Sequence, residues 1–466
     1  IAIGDATLRL MLRVINDKVA RDVGKRLEPL QVAVGTPGGC EIIAALADYT
    51  LKEGRDSEDE NAHRGVLLVD LPNAFNGVNR KSIARGLKEY CPELLDLFTI
   101  TYGNKSELRA HTTDGRGRLV GHSEKGCRQG DPLSMLYFAV AIQPALLEAQ
   151  QTLDTAHAQA AFEHKPRVAA YADDILLSGN TQVIVDNFDT INAAITKATG
   201  LTASIGKCAL IGRGVHEIAR PSSLESLKLN EEGGTIVGIP IGTHAIQTAL
   251  AQATIDTHAQ SIQLVVHSTV VSAQAQFALL KFCANPKVDY ICRNVNPTLI
   301  QDPLQEFDTQ MDIGLGAIAG TLLNDTAKTL RGLPVKLAGM GLRRHAGVQS
   351  FNDYNARTTL VSNFARSLLP ELATALEAAG TLPLSPLPEH ATLTVAAINK
   401  LYLQEVCGTV IDGTEQGARL NAHIRSGHLD PENEKYSTSG LFTNYMGGSD
   451  QRKNMHDDTF VAALRN

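Results

Sequence analysis

Asp173 and Asp174 are adjacent carboxylates between Val168-Ala169-Ala170 and Ile175-Leu176-Leu177, two short apolar runs that read as strands. A tight hairpin would carry both acids at its tip. Holding like charges side by side in a fold is costly unless a cation joins them, so the pair is either a solvated turn, which aspartate favours, or a place to hold metal. A second acid shifts the balance toward metal. Asp70 ends Val66-Leu67-Leu68-Val69, a continuous apolar run with the pattern of a buried strand whose last residue emerges at an edge. It lies far upstream of Asp173, so only the fold can bring them together. Two strands delivering two acids to one point would suit Mg²⁺, which takes carboxylate oxygens, water and substrate phosphates. Paired ions about 4 Å apart are a recurrent device for in-line displacement at phosphorus.

Between these acids lies Gly126-Cys127-Arg128-Gln129-Gly130-Asp131-Pro132-Leu133-Ser134, followed by the apolar segment from Met135 to Ile142. Two glycines and a proline break the backbone, and the apolar run opens just past Pro132, where a first helical turn tolerates proline. The spacing predicts a loop feeding a buried helix. Such an entry, with Arg and Gln beside glycine, suits a phosphate or a nucleobase edge held at a helix N-terminus, and equally a plain helix start.

Other segments must position these groups. Leu8, Leu12, Ile15 and Val19 recur at helical spacing within residues 6–30, and 40–51 continue similarly. Lys52 to Arg64 is charged and contains glycine, which reads as a surface loop before the Asp70 strand. Ile83 and Leu87 mark a helix after that strand, and Ile184, Phe188, Ile191 and Ile195 stripe another after the Asp-Asp hairpin. From about 244 onward the pattern is helical through Leu279 and Leu280. Leu360 to Ala379 is a further Ala/Leu-rich helix, and Thr381 to Pro388 a break.

The succession Asp70-Leu-Pro-Asn-Ala-Phe75, Gly126 to Ser134, Tyr171-Ala-Asp-Asp174, Gly200-Leu201 with Lys207, and Val237-Gly-Ile-Pro-Ile-Gly242 resembles the consecutive motifs of a reverse transcriptase, nearest to the non-LTR retrotransposon polymerases. Phe282 to Tyr290 and Leu333 to Leu342 resemble that lineage's downstream region. The resemblance implies an α+β right-hand polymerase with an antiparallel-sheet palm. Its expected divisions are partial fingers at 1–62, palm at 63–243 with a fingers-side insertion at 100–130, a thumb-like helical region at 244–345, and a helical C-terminal region at 346–466.

The same resemblance implies a role for each matching residue. Asp70 and Asp173 would bridge two Mg²⁺ ions, with Mn²⁺ as a substitute, Asp174 as a nearby acid and the Leu71 carbonyl as an extra ligand. Such ions would activate the primer 3′-hydroxyl and hold the triphosphate. Phe75 matches the steric gate that excludes a 2′-hydroxyl and so selects deoxynucleotides over ribonucleotides. Arg128, Gln129 and Gly130 match the pocket beside the incoming base and template. Lys207 matches the lysine that protonates departing pyrophosphate, although a solvated lysine near a turn reads equally well. Val237 to Gly242 matches the primer-grip hairpin. The implied partners are an RNA template, a DNA primer and dNTPs, with no membrane. The expected location is intracellular, nuclear in a eukaryote and otherwise cytoplasmic. The competing reading is a catalytically impaired or domesticated copy kept as a nucleic-acid-binding or scaffold protein. Retention of the acids, Phe75, Gln129 and Lys207 together argues against it.

Departures accompany the match. Ser204 stands where the family usually has Asn, and Pro72 removes a backbone donor within the first acidic motif. The Arg-Pro pair and basic fingers hairpin of relatives do not precede Ile1, which reads as an internal position of a longer protein. The 466 residues are 43% hydrophobic, enough for two or three cores. Seven cysteines without a C-x-x-C pair predict neither a disulfide framework nor a zinc site, and Cys283 and Cys292 read as buried small hydrophobes. The net charge of −7 lacks the basic excess expected of a tight duplex binder, although Arg13 to Arg26, Arg116 to Arg128 and Lys328 to Arg344 are local basic clusters. Asp457-Asp458 reads as a helix N-cap.

Overall fold

Aliphatic residues at every position of Val66 to Val69 suit a strand covered on both faces. In the computed structural model, which describes residues 5–57, 63–110, 117–160, 165–333, 339–370 and 372–374, they form most of the middle strand of a five-stranded sheet. The chain opens with helices α1 (Ala6–Leu27) and α2 (Gly39–Asp56), then enters β1 (Arg64–Val69). A short α3 (Ala74–Gly77) leads to α4 (Arg80–Tyr90) and α5 (Leu95–Tyr102). A separate hairpin of β2 (Ser106–Ala110) and β3 (Arg118–Ser123) precedes the long α6 (Ser134–Ala160). Then come β4 (Arg167–Tyr171), β5 (Asp174–Asn180), α7 (Thr181–Thr199), β6 (Ala209–Gly212) and β7 (Lys228–Asn230). A hairpin of β8 (Gly233–Ile236) and β9 (Ile239–Gly242) follows.

The sheet order is β4-β5-β1-β6-β7, antiparallel throughout except for the parallel β6–β7 pair. Alternation along β1 divides its side chains between two faces. Leu67 and Val69 join a core with Ile83 and Leu87 of α4, Phe138 and Ile142 of α6, and Phe188 and Ile191 of α7. Val66, also buried, faces the other way, and α2 packs against β1 there. The helices are bounded by their own sequence: Asn79 caps the start of α4, Asn180 caps the start of α7, and Gly200 closes α7 in the left-handed region (φ 77°) with its N–H on the Thr196 carbonyl at 2.8 Å.

Three local expectations change. Lys52 to Asp56 is the last part of α2 rather than loop, because Leu51 and Gly54 are buried and Arg64, itself buried, pairs with Glu53 at 3.4 Å. The turn of the later hairpin is Val237-Gly238, both with positive φ, as a two-residue turn between twisted strands requires, while Ile239 to Gly242 is strand. Cys292 is buried but Cys283 is exposed. The 381–388 break, Asp457-Asp458 and the remainder of the C-terminal region beyond 374 lie outside the described residues.

Contacts divide the chain into two units, one holding the described residues up to Ile246 and from Leu360, the other those from Gln247 to Thr359. The second unit is helical, with α8 (His244–Val266), α9 (Ala273–Leu279), α10 (Asp289–Asn294), α11 (Gln301–Ala319), α12 (Asp325–Gly332) and α13 (Val348–Leu368) as its named helices; α8 starts and α13 ends in the first unit. Ile255, Ile262, Phe277, Phe307, Met311 and Leu315 make its apolar centre.

Beside that centre lies a charged network. Arg331, fully buried, pairs with Asp308 at 3.3 Å and Asp312 at 2.6 Å. Asp308 also accepts from the His345 and Ala346 N–H groups at 2.9 and 3.0 Å, and the His345 ring meets Asp289 at 2.9 Å. Burial alone would discharge His345, but its ring bond to Asp289 and the nearby Asp308 carboxylate outweigh it and hold its pKa above the ordinary value. Burial also opposes charge on Asp289 and Asp308, yet the His345 bond and neighbouring arginines hold both below the usual carboxylate range. The histidine contribution is therefore full below about pH 6.5 and lost as pH rises through the higher folded value. The aspartate contributions are full above about pH 4 and lost on further acidification. The melting temperature of the second unit is expected to fall as pH is raised from about 6 to about 9, and His345→Gln to flatten that slope. A slope unchanged in the variant would assign it to other groups.

Candidate active site

β1 ends at Val69 directly opposite Ile175 of β5, so Asp70, one residue past β1, and Asp174, the first residue of β5, stand at the same end of the sheet. Tyr171 pairs with Asp174 across β4–β5, leaving Ala172 and Asp173 as a two-residue turn. Thus the hairpin and the strand end bring all three predicted acids to one rim of the sheet. Asp70, Asp174 and Lys207 line a cleft of about 600 Å³ together with Lys228 and the residues of β8.

The electrostatics are those of crowded, underpaired carboxylates. Burial raises the Asp173 pKa against the pull of its own backbone N–H, and the Asp70 charge adds to the rise. For Asp174, burial and then the Asp173 and Asp70 charges push the pKa up to about 6, although its side chain opens to the cleft. One Asp70 carboxylate oxygen, Oδ2, is buried with no hydrogen-bond partner. An orphaned carboxylate oxygen beside two acids fits a divalent cation. No three His, Cys, Asp or Glu side chains among the described residues converge into a ready ligand set. An ion here would complete its shell with water and substrate, the usual habit of Mg²⁺.

Backbone contacts that sequence reasoning missed seat these acids. The Asp70 N–H reaches the Cys208 sulfur at 3.4 Å, and the Asp70 carbonyl accepts from the Ser204 N–H at 3.0 Å. Cys208 is fully buried, so its place in this strand-end contact is structural. Lys207 sits one residue earlier, exposed in a short turn of Ile205–Lys207. The fully buried Gln31 bonds both backbone groups of Ala172. Nothing in the local sequence around Cys208 or Gln31 signals either role, because their partners are 138 and 141 residues away.

The Gly126 to Ser134 loop leads into α6 as its glycines and proline indicate. It is tied to the Phe75 segment through Gly126 N–H to Val78 O at 2.9 Å and Cys127 N–H to Phe75 O at 2.7 Å. Gly126 has φ 62°, and a Cβ there would meet the Phe75 carbonyl at 2.2 Å, so only glycine fits. Phe75 is half-buried, its ring 5.2 Å from that of Phe138. Leu71 is buried, leaving its carbonyl as its candidate contribution. Gln129 is exposed and Gly130 half-buried. Arg128 turns to protein: its guanidinium donates to the Thr101 carbonyl at 3.1 Å and lies 4.7 Å from the centre of the Tyr102 ring.

Arg80 braces this loop from the start of α4. It donates to the carbonyls of Tyr102 and Asn104 on one side of the β2–β3 hairpin, and of Ser123, Lys125 and Gly126 on the other. A lysine cannot reproduce that fork. If the resemblance holds and the chain uses dNTPs, Arg80→Lys should raise the dNTP KM about tenfold, the equivalent of one lost hydrogen bond to a charged group, with a smaller effect on kcat. Unchanged steady-state constants in Arg80→Lys would remove the brace from the account.

The reverse transcriptase (RNA-dependent DNA polymerase) family model matches residues 5–241, and the chain belongs to that family. It is 27% identical over 224 residues to the Pol polyprotein of the type-1 retrotransposable element R2 of Popillia japonica, a match covering 45% of this chain and 30% of that protein. It is 21% identical over 360 residues to the 132 kDa protein of the SLACS retrotransposable element of Trypanosoma brucei gambiense, covering 74% and 27%. The matches thus span less than a third of either relative's length. Similar solved structures include telomerase from Candida albicans in complex with a TWJ fragment of telomeric RNA, at TM-score 0.36 and 11% identity, covering 81% of this chain and 57% of that one. Apo telomerase from Candida tropicalis gives TM-score 0.39 and 10% identity, covering 81% and 61%. Among the described residues no helix is long and apolar enough to cross a membrane.

Proposed function

We propose that this reverse transcriptase domain is an active RNA-directed DNA polymerase of a non-LTR-type retroelement, adding dNTPs to a primer 3′-hydroxyl on an RNA template. The observation that carries the reading is the meeting of Asp70 with Asp173 and Asp174 at one rim of the sheet, where the Asp70 charge adds to the raised pKa of both other acids. Asp70 and Asp173 would hold divalent ions, with Asp174 and the Leu71 carbonyl beside them. Such ions, when bound, activate the hydroxyl and offset charge on the triphosphate. Phe75 stands under the sugar and excludes a 2′-hydroxyl. Gln129 and Gly130 border the incoming base, and Arg128 supports that border through Tyr102. Lys207, on the same cleft as Asp70 and Asp174, donates a proton to the departing pyrophosphate. The β8–β9 hairpin carries the primer end. In this reading residues 63–243 are palm and 244–345 thumb.

The test is extension of a DNA primer on an RNA template with dNTPs and Mg²⁺. Template-dependent, full-length product supports the reading. Retained nucleic-acid binding without any extension, in Mg²⁺ or Mn²⁺, would favour a domesticated binding or scaffold protein, a reading that the net charge of −7 does not help.

A further inference from the structure

Gln31 commits its side-chain amide to the acid-bearing turn. It follows α1 in the connection to α2, and it is 0% exposed. Its Nε2 donates to the Ala172 carbonyl at 3.1 Å, and its Oε1 accepts from the Ala172 N–H at 2.9 Å and from the Ala33 N–H at 3.1 Å. The flanking backbone runs alongside β4: the Ala170 N–H donates to the Leu30 carbonyl at 2.6 Å, and the Val32 N–H to the Ala170 carbonyl at 2.9 Å. The side-chain amide thereby continues a backbone ladder by one step, onto the residue just before Asp173.

That residue needs holding. Ala172 has φ 55°, a left-handed conformation that costs a residue with a Cβ and that two-residue turns usually assign to glycine or asparagine. It is also buried, so without Gln31 its N–H and C=O would lose their partners away from water. A flexible glycine would leave the acids of the turn free to wander. Alanine clamped by a buried amide fixes the direction in which Asp173 leaves the turn.

We propose that Gln31 is a positioning residue for catalysis: by pairing with both backbone groups of Ala172, it locks the turn that aims the Asp173 carboxylate at the ion site shared with Asp70. This rests on the polymerase reading for its kinetic consequence and on geometry alone for the lock. An apolar replacement of similar size, Gln31→Leu, removes both bonds. Gln31→Glu keeps the Oε1 acceptor and loses the Nε2 donor.

The experiment compares the full chain with both variants in primer extension and in hydrogen exchange. Gln31→Leu is expected to lower kcat on the order of 100-fold, the effect of an ångström-scale misplacement, with dNTP KM within about threefold and a higher Mg²⁺ requirement. Gln31→Glu should lie between it and wild type. Exchange at Ala172 should rise in Gln31→Leu, while that of α7 residues 183–195 stays unchanged. Equal kcat and Mg²⁺ requirement in both variants would overturn the proposal, and so would loss of α7 protection in both, which would make Gln31 a residue of the fold. If the wild-type chain fails to extend primers, the polymerase reading falls and the exchange arm decides the lock: faster exchange confined to the turn upholds it, and unchanged exchange at Ala172 overturns it.

Discussion

Asp173→Ala is expected to abolish RNA-templated primer extension, with a loss of at least about 1000-fold in kcat, because a divalent-ion site deprived of a bridging ligand forfeits several kcal/mol of transition-state stabilisation. The same substitution should leave the ion-free protein as stable as the parent or more so. Burial and the Asp70 charge already raise the Asp173 pKa, so its ionised form is a liability to the fold without a cation. Activity and stability thus move in opposite directions, which separates a functional acid from a structural one. Parallel measurements of single-nucleotide extension and thermal melting check this. An alanine variant that extends as well as wild type removes Asp173 from the metal site; one that melts far below wild type makes it a residue of the fold.

The second large effect concerns sugar choice. Phe75 packs half-buried against Phe138 and is tied through its carbonyl to Cys127 at the start of the Gln129 loop. Its ring is therefore held by the core, and its backbone by the loop proposed to border the nucleotide. An apolar wall rejects an added hydroxyl by about 100-fold, so Phe75→Ala should narrow the preference for dNTP over rNTP by about that factor, and Phe75→Val by less. Competition between a dNTP and the matching rNTP in kcat/KM measures it. Discrimination unchanged in Phe75→Ala would move the gate elsewhere.

How much of this was legible beforehand differs by residue. Val66 to Asp70 and Val168 to Leu177 announced themselves, because buried strands write unbroken apolar runs and a two-residue turn leaves its acids conspicuous between them. The helix stripes of α4 and α7 were equally readable: Ile83, Leu87, Ile184, Phe188, Ile191 and Ile195 are all buried. What joins the site was not. Cys208 under Asp70, Gln31 on Ala172 and Arg80 across the hairpin base act through backbone groups distant in sequence, and a side chain bonded to a distant backbone leaves no local periodicity. The end of α2 reads as loop because its sequence is charged, while the burial of Leu51 and Gly54 that keeps it helical arises only in the fold. Arg331 was hidden for a related reason, since arginine reads as surface until its aspartate partners are known. Arg128, singled out from its motif as a substrate contact, has its guanidinium engaged by Thr101 and Tyr102, a placement that spacing alone does not reveal.

The most direct test of the central claim is to locate divalent ions in a complex of the chain with an RNA template, a 3′-deoxy-terminated DNA primer, the matching dNTP and Mn²⁺, by anomalous diffraction. Two Mn²⁺ sites about 4 Å apart, bridged by the carboxylates of Asp70 and Asp173, are predicted. An ordered primer end and dNTP with no anomalous density at those two carboxylates would contradict it.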